Sequence, residues 1–125
     1  MFKGIRRGKV YGREQGVLNA ILVYLRASRI PCAKVRNTGA MFQDRTGGLR
    51  FRRPAVMQRG VADVLAAYKG RPVAIEVKAA DGRLSDDQRE WLRDWEGSVG
   101  RGAVIVARDV EDVIQGLSRI DRGLL

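Results

Sequence analysis

The segment Ala74-Ile75-Glu76-Val77-Lys78-Ala79 sets one acid and one amine two residues apart in an apolar run. Alternate side chains of a β-strand share a face, so Glu76 and Lys78 fall together while Val73, Ile75 and Val77 face the other way. Charges beside a core are unfavourable unless they are paired or bound to a metal. A Glu-Lys ion pair on a solvated strand meets that condition as well, and E-x-K spacing alone does not choose. Asp63, in Val61-Ala62-Asp63-Val64-Leu65, lies on another apolar strand just before the hairpin that leads to Glu76. In such a hairpin two carboxylates can converge at neighbouring positions. Like charges that close repel, and a divalent cation relieves the repulsion. The alternative for Asp63 is to cap a turn after Gly60.

Two helical residues join this set. Glu14 precedes Val17, Leu18, Ile21 and Leu25 by three, four, seven and eleven residues, so it lies on a core-facing stripe. A first-turn Glu also complements a helix dipole, which leaves its role open. Gln88 precedes Trp91, Leu92 and Trp95 at helical spacing and points inward, yet it is equally the capping-box partner of Ser85. The two tryptophans suit core packing better than base stacking. The sequence contains no histidine, which removes imidazole-based hydrolysis and Cys/His zinc sites. A metal on this chain would sit on oxygen ligands, favouring a hard ion such as Mg2+ or Mn2+.

The elements that must position these groups follow from periodicity. Residues 14–27 read as a helix behind a basic, Gly-rich lead at 1–13, and Pro31 opposes its continuation. Residues 33–37 suggest a short strand. Periodicity is lost over 39–60, an Arg-rich loop or irregular hairpin containing Gly47-Gly48 and Pro54. Residues 61–68 and 72–79 read as antiparallel strands around a Lys69-Gly70-Arg71 turn. A helix is expected over 84–96, a buried strand over 103–107 and a last helix capped by Asp109. The order is α-β-β-β-α-β-α, an α/β fold in a single domain spanning the 125 residues.

Net charge is +10, and it is unevenly spread: residues 1–60 hold 14 basic and 2 acidic side chains, residues 61–125 hold 10 and 12. A basic half beside carboxylates suits a polyanion; general solubility and anionic lipid are the competing explanations. The preponderance of Arg and the lack of a basic amphipathic helix favour nucleic acid over membrane. No apolar run nears the roughly 20 residues of a membrane span or forms a signal peptide, and Cys32 is the only cysteine. A cytoplasmic, DNA-associated location is expected.

These residues resemble the PD-(D/E)XK nuclease superfamily and, within it, the virus-type replication-repair nuclease (VRR-NUC) family. The matching pieces are Glu14-Gln15, Arg36-Asn37-Thr38-Gly39, Gly60-Val61-Ala62-Asp63, Ile75-Glu76-Val77-Lys78, Gly82-Arg83-Leu84-Ser85 with Gln88, and the apolar strand at 103–107. Ala62 departs from the Pro of the superfamily name. The resemblance implies a mixed central sheet flanked by helices. It implies Mg2+ on Asp63, Glu76 and the Val77 backbone carbonyl, with Glu14 as a further ligand and Mn2+ as a substitute. Lys78 would assist the attacking water, and Gln88 would complete the catalytic set. Arg36, Asn37, Arg50, Arg52, Arg53 and Arg59 would grip DNA, recognised by shape. Small members resemble homodimeric resolvases of four-way (Holliday) junctions. A less selective flap or single-strand nuclease, a sequence-specific restriction-type enzyme and a non-catalytic basic DNA-binding module are the alternatives.

Overall fold

The computed structural model describes residues 2–35, 40–52, 59–98 and 100–125, with side chains over 13–35, 43–50, 59–97 and 100–125. The chain runs α1 (Phe2–Ala27), β1 (Cys32–Lys34), β2 (Ala40–Gln43), β3 (Leu49–Arg52), β4 (Val64–Tyr68), β5 (Arg71–Val77), α2 (Asp86–Ser98), β6 (Ala103–Ala107) and α3 (Val110–Asp121). Among the described residues it is an α/β fold with a mixed four-stranded sheet, a separate two-stranded sheet and three helices. The sheet order is β1-β4-β5-β6. β4 pairs antiparallel with β1 and β5, whereas β5 and β6 run parallel, joined across α2. Among the described residues no helix is long and apolar enough to cross a membrane.

The alternation expected of β5 decides the layering. Val73, Ile75 and Val77 join Leu18, Ile21, Leu22 and Leu25 of α1 and Val113, Leu117 and Ile120 of α3 in the larger core. On the opposite face Ala74 packs with Ala62 and Leu92, covered by Trp91 and Trp95 of α2. The two indoles stack with centroids 5.2 Å apart, so they serve packing as expected. Burying each of the larger aliphatic side chains contributes roughly 1.5–3 kcal/mol.

Four expectations need correction. The lead at 1–13 is not separate from the first helix, because α1 begins at Phe2. Extending an existing helix adds a hydrogen bond per residue without a new nucleus, so the glycines there do not stop it. Of the two readings of residues 39–60 the hairpin holds, but it is regular rather than irregular: β2 and β3 pair antiparallel in their own two-stranded sheet. Its tip is closed by Asp44, whose Oδ1 accepts from Thr46 N, Thr46 Oγ1 and Gly48 N while Oδ2 accepts from Arg50 Nε at 2.9 Å. These contacts hold the Asp44 carboxyl near pKa 2, with Thr46 the largest influence. The β4–β5 turn is a two-residue one: Tyr68 pairs with Arg71, and both Lys69 (φ 48°) and Gly70 (φ 78°) adopt positive φ. Lys69 is held there by Asp121 of α3 at 2.7 Å. Finally, β4 starts at Val64 and β5 ends at Val77, so Asp63 and Lys78 stand just outside their strands.

Gly60 fixes the approach to β4. Its φ is +78°, and a Cβ there would run into the backbone of Asp87 and Gln88 at the start of α2. Gly60→Ala is therefore expected to destabilise the protein by about 2 kcal/mol or more, lowering Tm by about 8 °C in a thermal melt. An unchanged Tm would show that the segment can move away from α2.

Candidate active site

Glu14, Asp63, Glu76, Val77, Lys78 and Gln88 all line one cavity of about 280 Å³. Four elements or their ends supply them: α1, β4, β5 and α2. Asp63 ends the approach to β4: its carbonyl accepts from Val35 N, and its Oδ2 accepts from Val77 N at 2.8 Å. The carboxylate thus caps a backbone donor at the end of β5, rather than a turn after Gly60. Lys78 continues the ladder beyond β5 by donating its backbone N–H to Ala107 O at 2.9 Å, which fixes its side chain beside Glu76. Glu14 sits in the interior of α1, more than two turns from its start, so the helix-dipole role does not apply.

Glu76 is the centre of the cluster and the buried charged residue of the core, at 2% exposure. Its Oε1 accepts from Gln88 Nε2 at 3.1 Å and lies 3.9 Å from Lys78 Nζ. Its Oε2 is buried with no hydrogen-bond partner. Burial raises the pKa of Glu76 to about 8; the nearby Asp63 and then Glu14 push it the same way, and Lys78 opposes them. A buried acceptor with nothing to accept from is unfavourable by roughly 1–3 kcal/mol. A cation would satisfy it.

Gln88 fills both of the roles open to it. Its Oε1 accepts from Ser85 N at 2.9 Å, and its own N–H donates to Ser85 Oγ at 3.2 Å, closing the capping box of α2. The Nε2 is left for Glu76. The amide orientation follows from this network. Gln88→Ala should lower stability by about 1 kcal/mol in urea unfolding. Gln88→Glu should retain the cap yet set a further carboxylate against Glu76, so the two variants separate the roles. Equal stability of Gln88→Ala and wild type would dismiss the capping contribution.

The hard-oxygen donor set of the cavity and the buried orphan Oε2 fit a divalent cation. Among the described residues no group of three Asp, Glu, Cys or His side chains stands ready to hold one unaided. Asp63 and Glu76 would need main-chain or water oxygens to complete the coordination, as Mg2+ commonly does.

The candidate DNA-gripping residues fare differently. Arg36, Asn37 and Arg53 lie outside the described residues, as does the side chain of Arg52 in β3. Arg50 belongs to the β2–β3 hairpin through Asp44. Arg59 borders a separate cavity lined by Asp87, Glu90 and Asp94 of α2, which shares no lining residue with that of the carboxylate cluster. Arg13 and Arg108, which periodicity did not single out, flank a second cavity that shares Glu14 and Lys78 with the first. Arg108 could have been found only from the parallel pairing of β5 with β6, a long-range feature. Comparison of the sequence with protein-family models and with curated proteins gives no match.

Proposed function

We propose that this protein is a Mg2+-dependent endonuclease of the PD-(D/E)XK type, most similar to the VRR-NUC family, acting on branched DNA. The observation that carries the reading is the meeting of Asp63, Glu76 and Lys78 in one cavity, with the second oxygen of Glu76 buried and unpartnered. The mixed sheet with helices on both faces supports the superfamily likeness, and the +10 charge supports a polyanionic substrate.

Asp63, Glu76 and the Val77 carbonyl would hold the ion, with Glu14 alongside. Bound there, Mg2+ supplies charge to polarise a phosphate and lowers the pKa of a water. The chain's own contributions are distinct. Asp63 keeps its carboxylate in place through Val77 N, and Gln88 orients Glu76 by its Nε2. Lys78, at 15% side-chain exposure, presents an ammonium to the cavity, where it orients the attacking water and stabilises developing charge. Arginines of the β2–β3 hairpin, Arg45 and Arg50, would add contacts to the nucleic-acid backbone, Arg50 while paired with Asp44.

Junction resolution by a homodimer is the substrate and assembly we favour, on the likeness to small VRR-NUC members; two sites related by a two-fold axis suit paired cuts. Purified protein with labelled linear, flap and four-way DNA, in Mg2+ or in EDTA, provides the test. Cleavage of the four-way junction in Mg2+ alone is expected. Cleavage of every substrate alike would point to a less selective nuclease. Binding without cleavage under all metal conditions would reduce the protein to a basic DNA-binding module.

A further inference from the structure

The second cavity, of about 380 Å³, opens beside the carboxylate cluster and is lined by Arg13, Glu14, Lys78, Asp81 and Arg108 among others. Its position follows from the sheet. β5 and β6 are parallel, Val77 is in register with Ala107, and Lys78 and Arg108 are the residues that follow them. Both therefore stand at the carboxyl ends of adjacent parallel strands, the crevice where α/β sheets bind ligands. Arg108 is held in place at two points. Its backbone N–H donates to Asp112 Oδ2 at 2.8 Å, and its Nη2 donates to Gly82 O at 3.0 Å. A guanidinium carries five N–H donors, and the carbonyl of Gly82 engages one. Among the described residues no carboxylate lies within ion-pair distance of it; the ion pairs involve Arg50, Lys69 and Lys78. Glu14 and Asp81 also line the cavity, against three cations.

We infer that this cavity is a phosphate subsite, in which Arg108, assisted by Arg13, grips the DNA backbone phosphate flanking the one that is cleaved. The inference rests on the nuclease reading. A fixed fork of donors matches a phosphate better than a point charge does, and the wall shared with the carboxylate cluster makes the occupant a neighbour of the reacting group. Arg108 would act by positioning the strand.

Single-turnover cleavage of DNA carrying one neutral methylphosphonate linkage, moved step by step through the linkages around the cut, tests the assignment. On all-phosphate DNA, Arg108→Ala should lower kcat/KM about ten- to a hundredfold, with Arg108→Lys recovering part of the loss. At one flanking linkage the methylphosphonate should reduce wild-type cleavage by a similar factor and add nothing to Arg108→Ala. If the two losses multiply at every linkage, or Arg108→Ala cleaves as wild type does, the subsite is wrong while the nuclease reading stands. If wild type cleaves no DNA in Mg2+, both fall. Arg13→Ala, on the exposed side of α1, provides the same comparison at the same linkage should Arg108→Ala fail to fold.

Discussion

Asp63→Asn will leave the protein folded and able to bind DNA while lowering Mg2+-dependent cleavage by about a thousandfold or more. The fold survives because the amide oxygen of Asn can still accept from Val77 N, now donated to Asp63 Oδ2 at 2.8 Å. What disappears is one of the negative charges that make the cavity attractive to a divalent ion. Lys78→Ala acts on the same step differently. It removes the ammonium 3.9 Å from Glu76 Oε1 without altering the carboxylates, so cleavage falls while cation binding persists. Single-turnover cleavage for the rate, fluorescence anisotropy with Ca2+ for DNA binding and a thermal melt for the fold separate these effects. Cleavage by Asp63→Asn at the wild-type rate would remove Asp63 from the chemistry and take the nuclease reading with it.

Much of this cluster is legible in the sequence, and the reason is locality. Strand alternation is set by neighbouring residues, so Glu76 and Lys78 were bound to share a side of β5. Helical spacing is local as well, and it placed Glu14 and Gln88 on inward faces. The sequence leaves Gln88 either a cap or an inward-pointing residue, whereas the amide caps α2 and reaches Glu76 at once, with acceptor and donor on separate atoms. Features that depend on distant pairing were not legible. Asp63 replaces a strand partner with its side chain, which only the β4–β5 register reveals. Arg108 gains its place from β5–β6 pairing across α2. The start of α1 is not legible because Gly4, Gly8 and Gly12 interrupt a basic stretch with no apolar stripe. For residues 39–60 a hairpin is one of two readings the sequence leaves open, and its register is not legible because it comes from the Asp44 turn rather than from a hydrophobic face.

Cation affinity should fall about tenfold for each pH unit below 8, reaching roughly a hundredfold weaker binding at pH 6. Glu76 is responsible, because its pKa is raised from 4.5 to about 8 by burial and by Asp63 beside it. Near neutrality the cation-free carboxyl keeps its proton, so an ion entering the site must expel it. Calorimetric Mg2+ titrations at pH 7, in buffers of different ionisation enthalpy, should therefore register close to one proton released per ion. The same shift acts on folding with a definite sign. Between about pH 4.5 and 8 the folded chain binds more protons than the unfolded one, so the cation-free protein loses stability as pH rises through that window. Glu76→Gln removes the titrating group while keeping an acceptor for Gln88. In EDTA it should melt several degrees above wild type at pH 9 and close to wild type at pH 5, and in the calorimeter its proton release should vanish. An affinity independent of pH between 6 and 8, with no difference in melting at pH 9, would mean that water reaches Glu76 freely. The carboxylate would then be an ordinary surface acid, and the buried orphan oxygen on which the metal assignment stands would not exist in solution.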